Sequence, residues 1–354
     1  MDKDLKNKTL SELEDIVENL DQKRYLAKYI FTFIHSKNAF DISNISQLSK
    51  AFRTNLAGQG YYISHLNSLQ TFTDPDGTIK YLFELADGDR IETVLLSDGK
   101  HKTLCVSTQA GCAINCAFCA TAKLKFQRNL TAAEIADQLN IIQGDSGKIN
   151  NVVYMGMGEP LQNYEAVLKS VHIINHPQGK NIGLRHLTVS TCGIADAIRK
   201  LADEDIHPRL AISLNAPNDT LRSKIMPINK KYPIAALLAA VKYYQLKTEL
   251  RVTFEYVLIK DLNDSTLHAQ LLARLVHQVK CNINLIEFNP HPLCSFAASG
   301  RQTIKRFAEI LGDAGIETTI RFKKGWKIKA ACGQLGADLL RQSVQNSHRD
   351  LRFS

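Results

Sequence analysis

No apolar run in this chain approaches the ~20 residues that a membrane-spanning helix needs. The opening residues, Met-Asp-Lys-Asp-Leu-Lys-Asn-Lys, lack the apolar core of a secretory signal, which predicts a cytoplasmic protein. A second CxxC unit is also missing, although the chain carries 8 cysteines. That absence argues against structural zinc, which favours four ligands in paired spacing. Tryptophan occurs once, at Trp326, and acidic residues are outnumbered 35 to 44 by basic ones, leaving a formal charge of +9. Such an excess predicts attraction to RNA or DNA without specifying any sequence. Eight cysteines in a cytoplasmic chain point to metal or redox chemistry rather than a disulfide framework.

What is present is a folded, globular composition. Hydrophobic residues make up 44% of 354, enough for one large α/β domain with an appendage, or for two domains. The most concentrated chemistry is Gly111-Cys112-Ala-Ile-Asn-Cys116-Ala-Phe-Cys119, a CxxxCxxC spacing just after a strand-like run at 102–108. Thiolates are soft ligands, and three of them can hold three corners of a [4Fe–4S] cube. The fourth iron is then free to bind a substrate or cofactor.

Upstream, Thr9-Leu-Ser-Glu12 has the form of a capping box and opens a helix with Leu13, Ile16, Val17 and Leu20 on one face. Further helices are expected at 24–36 and 48–56. The aromatics Tyr25, Tyr29, Phe31 and Phe33 lie among Lys23, Arg24, Lys28 and Lys37, and serve either as bases' stacking partners or as the small domain's own core. Turn signals at Asp74-Pro-Asp-Gly77 and Ala86-Asp-Gly88-Asp separate strand-like runs at 79–85 and 90–96, an antiparallel meander. Alternation along the second run makes Glu92 a solvated strand carboxylate by default.

From residue 101 onward, strand-like runs at 103–108, 151–155, 186–190, 209–214, 251–259 and 282–288 alternate with helical ones. Thr131-Ala-Ala-Glu134 caps one helix, and Leu267, Leu271, Leu275, Val276 and Val279 stripe another. Six β-then-α units predict a partial (β/α)6 barrel, with its chemistry at the carboxyl ends of the strands. Those ends present Gly156-Met-Gly158-Glu159-Pro160, Ser190-Thr-Cys192-Gly193, Ser213-Leu214-Asn215-Ala and Asn289-Pro290. Gly156 and Gly158 would let the backbone approach a ligand, and Glu159 would accept from an ammonium group. The expected organisation is a helical accessory domain over 1–62, a β-rich extension over 63–100, the partial barrel over 101–325, and a C-terminal loop and tail over 326–354.

Eight segments then occur in order. They are Cys105-Val-Ser-Thr-Gln-Ala-Gly-Cys112, the three-cysteine loop, Gln127-Arg128-Asn129-Leu130, Gly156-Met-Gly158-Glu159-Pro160-Leu, Ala211-Ile-Ser-Leu-Asn-Ala-Pro-Asn-Asp219, Arg251-Val-Thr-Phe-Glu-Tyr256, Phe288-Asn289-Pro290 and Ala330-Ala-Cys332-Gly-Gln-Leu335. Together they resemble the radical S-adenosylmethionine (SAM) RNA adenine methyltransferases, a family that includes C2-directed and resistance-type C8-directed enzymes. The resemblance implies a [4Fe–4S] cluster on Cys112, Cys116 and Cys119, and two SAM molecules per turnover. It implies SAM contacts at Gly158, Glu159, Ser190, Ser213, Leu214, Asn215 and Asn289. One SAM methylates Cys332, and a 5′-deoxyadenosyl radical from the second activates that S-methyl group to add to the adenine carbon. Glu92 then takes the ring proton, and Cys105 attacks to form a transient disulfide and release the base, which is ordinary thiol–disulfide logic.

The resemblance also implies 23S rRNA and tRNA as substrates, an external electron donor such as flavodoxin or ferredoxin, and a monomer. Cys192, Cys281 and Cys294 match no role and read as structural. The basic stretch 321–329 is placed to grip phosphates beside Cys332. Departures from the family pattern are Asn215 in place of a histidine, Ala122 and Lys125 in place of glycines, and Lys327-Ile-Lys329 in place of Asp-Ile-Asp. The rival readings are a C8-directed enzyme, the same mechanism on another RNA, and an iron–sulfur RNA-binding protein without catalysis.

Overall fold

Helix caps written into the sequence set the N-terminal unit. In the computed structural model, which describes residues 2–340, Thr9 and Glu12 form a reciprocal capping box that starts α1 (Leu10–Asn19). Then follow α2 (Leu26–His35) and α3 (Lys50–Gly58). Of the four aromatics, Phe31 and Phe33 are buried in the domain's core, as one of the two expectations had them, whereas Tyr25 and Tyr29 lie at the surface.

Three strands, β1 (Asn67–Thr73), β2 (Ile79–Glu84) and β3 (Arg90–Asp98), make the antiparallel meander, and β3 pairs antiparallel with β4 (His101–Cys105). A two-stranded ladder of β5 (Gln109–Ala110) and β6 (Arg128–Asn129) brackets the cysteine loop. The chain continues through α4 (Ala132–Ser146), β7 (Asn151–Tyr154), α5 (Tyr164–Asn175), β8 (Leu187–Thr191), α6 (Ala195–Ala202) and β9 (Arg209–Ser213). It is completed by α7 (Asp219–Ile225), α8 (Ile234–Thr248), β10 (Val252–Leu258), α9 (Thr266–Val276), β11 (Cys281–Glu287), α10 (Arg301–Asp313) and β12 (Thr318–Arg321).

These strands form one sheet in the order β1-β2-β3-β4-β7-β8-β9-β10-β11-β12, parallel from β4 onward. The open barrel therefore has a seventh parallel strand, β12, beyond the six expected. Its four residues, Thr-Thr-Ile-Arg, are too short and polar to stand out by alternation, and they gain strand form by pairing with β11. The face of α9 also differs. Its buried residues are Ala269, Leu272, Ala273 and Val276, while Leu267 is exposed. Spacing of i, i+3, i+4 and i+7 fits one helical face, and the two alanines let the helix sit close against its neighbours.

The N-terminal domain is fastened to the barrel rather than tethered. Lys6 Nζ lies 2.5 Å from Asp137 on α4, with both side chains 2% exposed. Asp137 also accepts the Leu66 backbone N–H at 2.8 Å, and Lys169 on α5 reaches Glu12 at 2.7 Å. No helix among the described residues is long and apolar enough to cross a membrane.

Breaking one partner of a buried ion pair leaves an uncompensated charge. Lys6→Ala should therefore lower the unfolding free energy by about 3–5 kcal/mol. Urea denaturation followed by circular dichroism checks this, and a loss within about 0.5 kcal/mol, typical of a surface substitution, would contradict it.

Candidate active site

The cysteine loop is pinned from several directions. Gly111 adopts φ +76°, and a Cβ there would sit 2.2 Å from the Lys125 carbonyl oxygen, so only glycine fits. The Ala117 N–H donates to the Ile225 carbonyl at 2.9 Å, and the Ala120 N–H to the Gly333 carbonyl at 2.7 Å. Cys112, Cys116 and Cys119 all face one cavity at the carboxyl ends of the parallel strands. Burial pushes their thiols up: Cys112 to about 12, Cys116 well above the ordinary range, and Cys119 in the same direction. Buried thiols of this kind become thiolates when a metal supplies the positive charge.

Among the described residues no three His, Cys, Asp or Glu side chains converge as ligands of a single ion. Three soft thiolates on one loop are the donor set that a three-cysteine iron–sulfur cluster would use.

The cavity is open at its mouth and leaves about 170 Å³ that small molecules can occupy. Gly156, Gly158, Glu159, Ser190, Ser213, Asn215 and Cys332 line it. Among the buried atoms of the described residues that lack a hydrogen-bond partner, Glu255 Oε2 on β10 belongs to the cavity lining, whereas Asn289 Oδ1, after β11, lies outside it. SAM offers an ammonium, ribose hydroxyls and an exocyclic amine, each a donor of the kind that Glu255 Oε2 lacks.

Several wall residues do work that the sequence did not announce. A Cβ on Gly156 would meet Ser107 Oγ and the Val106 carbonyl at 2.7 Å, and one on Gly158 would meet Gln109 Cβ at 2.5 Å. The close approach these glycines permit is thus to residues 106–109. Glu159 accepts the Cys192 N–H at 2.7 Å and the Leu161 N–H at 3.0 Å, which fastens the ends of β7 and β8. Burial nonetheless pushes its carboxyl up. Leu214 is fully buried behind the wall, its N–H donating to the Glu255 carbonyl at 3.0 Å.

The sharpest reversal concerns Glu92. It is buried, not solvated: its Oε1 lies 2.9 Å from Lys80 Nζ, and its Oε2 accepts the Gly336 N–H at 2.7 Å. Lys80 and Cys105 both register against Val94 on β3, with Glu92 two residues along, so the four side chains share one face of the sheet. Residues 325–338 cover this face and carry Cys332. Asp74 and Asp76 accept the N–H groups of Lys327 and Gly325 at 3.0 and 2.7 Å, and Asn289 Nδ2 donates to the Cys332 carbonyl at 3.1 Å.

Cys105 and Cys332 are both free thiols. Burial raises the Cys105 thiol to about 12, and the nearby Cys332 raises it further. Cys332 opens to solvent through the cavity yet is enclosed by protein, and its thiol is raised too, chiefly by desolvation and against the pull of Arg321.

Comparison with known proteins fixes the family. Residues 106–272 match the Radical SAM superfamily, and residues 3–61 match the ribosomal RNA large subunit methyltransferase N-terminal domain. The chain is 46% identical over 332 residues to the probable dual-specificity RNA methyltransferase RlmN of Dictyoglomus thermophilum, covering 93% of this chain and 95% of that protein. This chain belongs to the RlmN family. A second RlmN, from Syntrophobacter fumaroxidans, is 41% identical over 337 residues, covering 94% of this chain and 98% of its own. A crystal structure of a radical SAM methyltransferase from Sphaerobacter thermophilus superposes with a TM-score of 0.89 at 43% identity, over 95% of this chain and 100% of that one. The radical SAM fold, α/β with a mostly parallel sheet, is therefore common to both.

The departures from the RlmN pattern have local explanations. Asn215 sits at φ +58°, a conformation asparagine tolerates, and its amide is engaged: Oδ1 accepts the Val257 N–H at 2.8 Å and Nδ2 faces Met226 Sδ at 3.2 Å. Lys329 is paired with Asp338, while Lys327 is exposed. Of the basic stretch, Arg321 faces Glu255 at 3.8 Å, Lys323 pairs with Glu287 at 2.9 Å and Lys324 lies 3.6 Å from Asp98. Trp326 and Phe322 remain exposed beside them. The terminal residues 341–354, expected as a tail, lie outside the described residues.

Sequence reasoning missed Lys80, Asp338, Glu255 and Arg222. Arg222 is fully buried, donating to the carbonyls of Leu214 at 3.0 Å, Cys192 at 2.6 Å and Ser213 at 3.2 Å. One guanidinium thus ties together the ends of β8 and β9 below the cavity. Arg222→Met strands these carbonyls and should cost about 3 kcal/mol in chemical denaturation. An unaltered unfolding midpoint would contradict that role.

Proposed function

We propose that this chain, a SAM-dependent RNA methyltransferase by family, installs a methyl group on C2 of adenine in 23S rRNA and in tRNA. The observation that carries the reading is the meeting of Cys105, Glu92 and Cys332, drawn from distant parts of the chain to one face beside the cysteine loop. RNA binding alone needs none of the three. The dual specificity in the names of the relatives supports two classes of RNA substrate.

When bound, the cluster on Cys112, Cys116 and Cys119 and the SAM beside it supply the methyl group and the radical that activates it. Adenine C2 is an electron-poor ring carbon, so a methyl carried on sulfur and activated there avoids a direct transfer that the ring cannot accept. Cys332 Sγ takes the methyl group and releases its proton. Cys332 lines the same cavity as Ser190 and Ser213, and its carbonyl is held by Asn289. Once the methylene carbon has bonded to adenine, the unpaired electron of the adduct would return to the redox centre that supplied it, and Glu92 takes the proton from the ring carbon, which leaves a closed-shell thioether. Cys105 then attacks Cys332 Sγ: an S–S bond forms, the S–C bond breaks, and its electron pair stays on the methylene carbon, which collects a proton to become methyl.

The target base must leave its stack to reach this cavity. Exposed Trp326, Phe322 and Lys327 flank residues 325–338, and exposed Tyr25, Tyr29, Phe40 and Tyr62 mark the N-terminal domain, surfaces suited to RNA. The reading includes a cytoplasmic monomer reduced by a small donor of the flavodoxin or ferredoxin class.

Nucleoside mass spectrometry of rRNA and tRNA incubated with reconstituted enzyme, SAM and reductant should find 2-methyladenosine. Appearance of 8-methyladenosine would transfer the chain to the C8-directed branch, and no methyladenosine at all would overturn the reading. Cys332→Ala should abolish the product while the cluster's visible absorbance persists. Cys105→Ala should leave protein covalently attached to RNA, detected as a band shift on denaturing gels; normal turnover would remove Cys105 from the resolving role.

A further inference from the structure

Lys80 has no place in the chemistry above, yet it is among the most buried cations of the protein. Its side chain is 1% exposed on β2, with Glu92 Oε1 at 2.9 Å and Asp338 Oδ2 at 3.1 Å. It sits diagonally across the sheet from Glu92, because Lys80 registers with Val94 and Leu82 with Glu92. Asp338 is held in turn by Lys329, and these two lysines keep its carboxyl below the ordinary range although burial works to raise it. A continuous chain of charges, Glu92–Lys80–Asp338–Lys329, therefore runs from β3 to both ends of the stretch that carries Cys332.

Burying an ammonium costs several kcal/mol, and an ion pair only partly recovers this. A hydrophobic residue of similar size would hold the sheet as well. What the ammonium adds is specific to a base. An ammonium at 2.9 Å fixes which carboxylate oxygen faces it and so orients the whole group. The second contact, to Asp338, ties the position of that carboxylate to residues 325–338. Glu92 Oε2 is tied to the same residues through the Gly336 N–H at 2.7 Å.

We infer that Lys80 is a positioning residue for the methyl transfer: it holds Glu92 ready to accept the ring proton and, through Asp338, keeps it in register with Cys332. The inference rests on Glu92 being the base. It assigns Lys80 to a late step, after SAM has been cleaved, so loss of Lys80 uncouples cleavage from product. Removing Lys80 leaves Cys112, Cys116, Cys119 and the cavity wall untouched.

The test measures 5′-deoxyadenosine formed per methyladenosine, in cluster-loaded full-length enzyme with rRNA. Lys80→Met should raise this ratio roughly tenfold or more, the scale of a lost general base. Lys80→Arg, which restores the charge, should return it most of the way. Asp338→Asn, at a partly exposed position that folding tolerates better, should raise the ratio in the same direction by a smaller factor. If Lys80→Met fails to fold, Asp338→Asn and Lys80→Arg decide. A purely structural lysine would lower both products in parallel and leave the ratio at its wild-type value in every variant, which overturns the inference. Glu92→Gln separates the two claims. If it methylates RNA at the normal ratio, the base assignment itself falls. If it is inactive while the Lys80 and Asp338 variants keep the normal ratio, only the role of Lys80 falls.

Discussion

Residues 325–338 have to be held over one face of the sheet, and most of the site depends on how that is done. Cys332 lies more than two hundred residues beyond Cys105, so nothing local brings the thiols together. The docking uses four side chains of the β extension, Asp74, Asp76, Lys80 and Glu92, each meeting a backbone N–H or a carboxylate of the C-terminal stretch. The remaining contacts come from the barrel, where Thr121 Oγ1 donates to the Leu335 carbonyl at 2.7 Å and Gln334 Nε2 to the Pro290 carbonyl at 3.0 Å. The meander is thus more than a connector. Its inner face is the surface on which the C-terminal stretch is docked.

The barrel, which lines the cavity, is under a different constraint. Strand ends in parallel sheets expose carbonyls and small polar groups, which suits ligand binding but leaves the ends poorly tied to one another. Here Arg222 and Glu159 tie them, one donating to carbonyls and the other accepting from amides. With the wall fixed by these internal bonds, Glu255 can leave an acceptor unsatisfied, and that atom is where a donor-rich ligand gains most.

Much of this was legible in the chain. The capping boxes at Thr9 and Thr131, the strand ends and the three-cysteine loop appear where their spacing places them, because each is a local signal. The missed features are non-local. Glu92 reads as a surface carboxylate until Lys80 is brought beside it by β2–β3 pairing and Gly336, 244 residues away, closes over it. Strand β12 takes its form from β11 rather than from its own polar sequence. Arg222 looks like an exposed helix residue because its acceptors are carbonyls of other elements. Gly156 and Gly158 were legible as tight positions, and residues 106–109, backbone and side chains alike, are what crowd them.

The buried bond between Lys6 and Asp137 gives the N-terminal domain a geometric task as well as a stabilising one. Because both partners are out of water and α5 adds a further tie through Lys169, the domain sits at a set distance and angle from the cavity mouth. The two units then act as the fixed jaws of a caliper. A substrate that touches both must match the span between them, which sets a limit of shape on what the site admits.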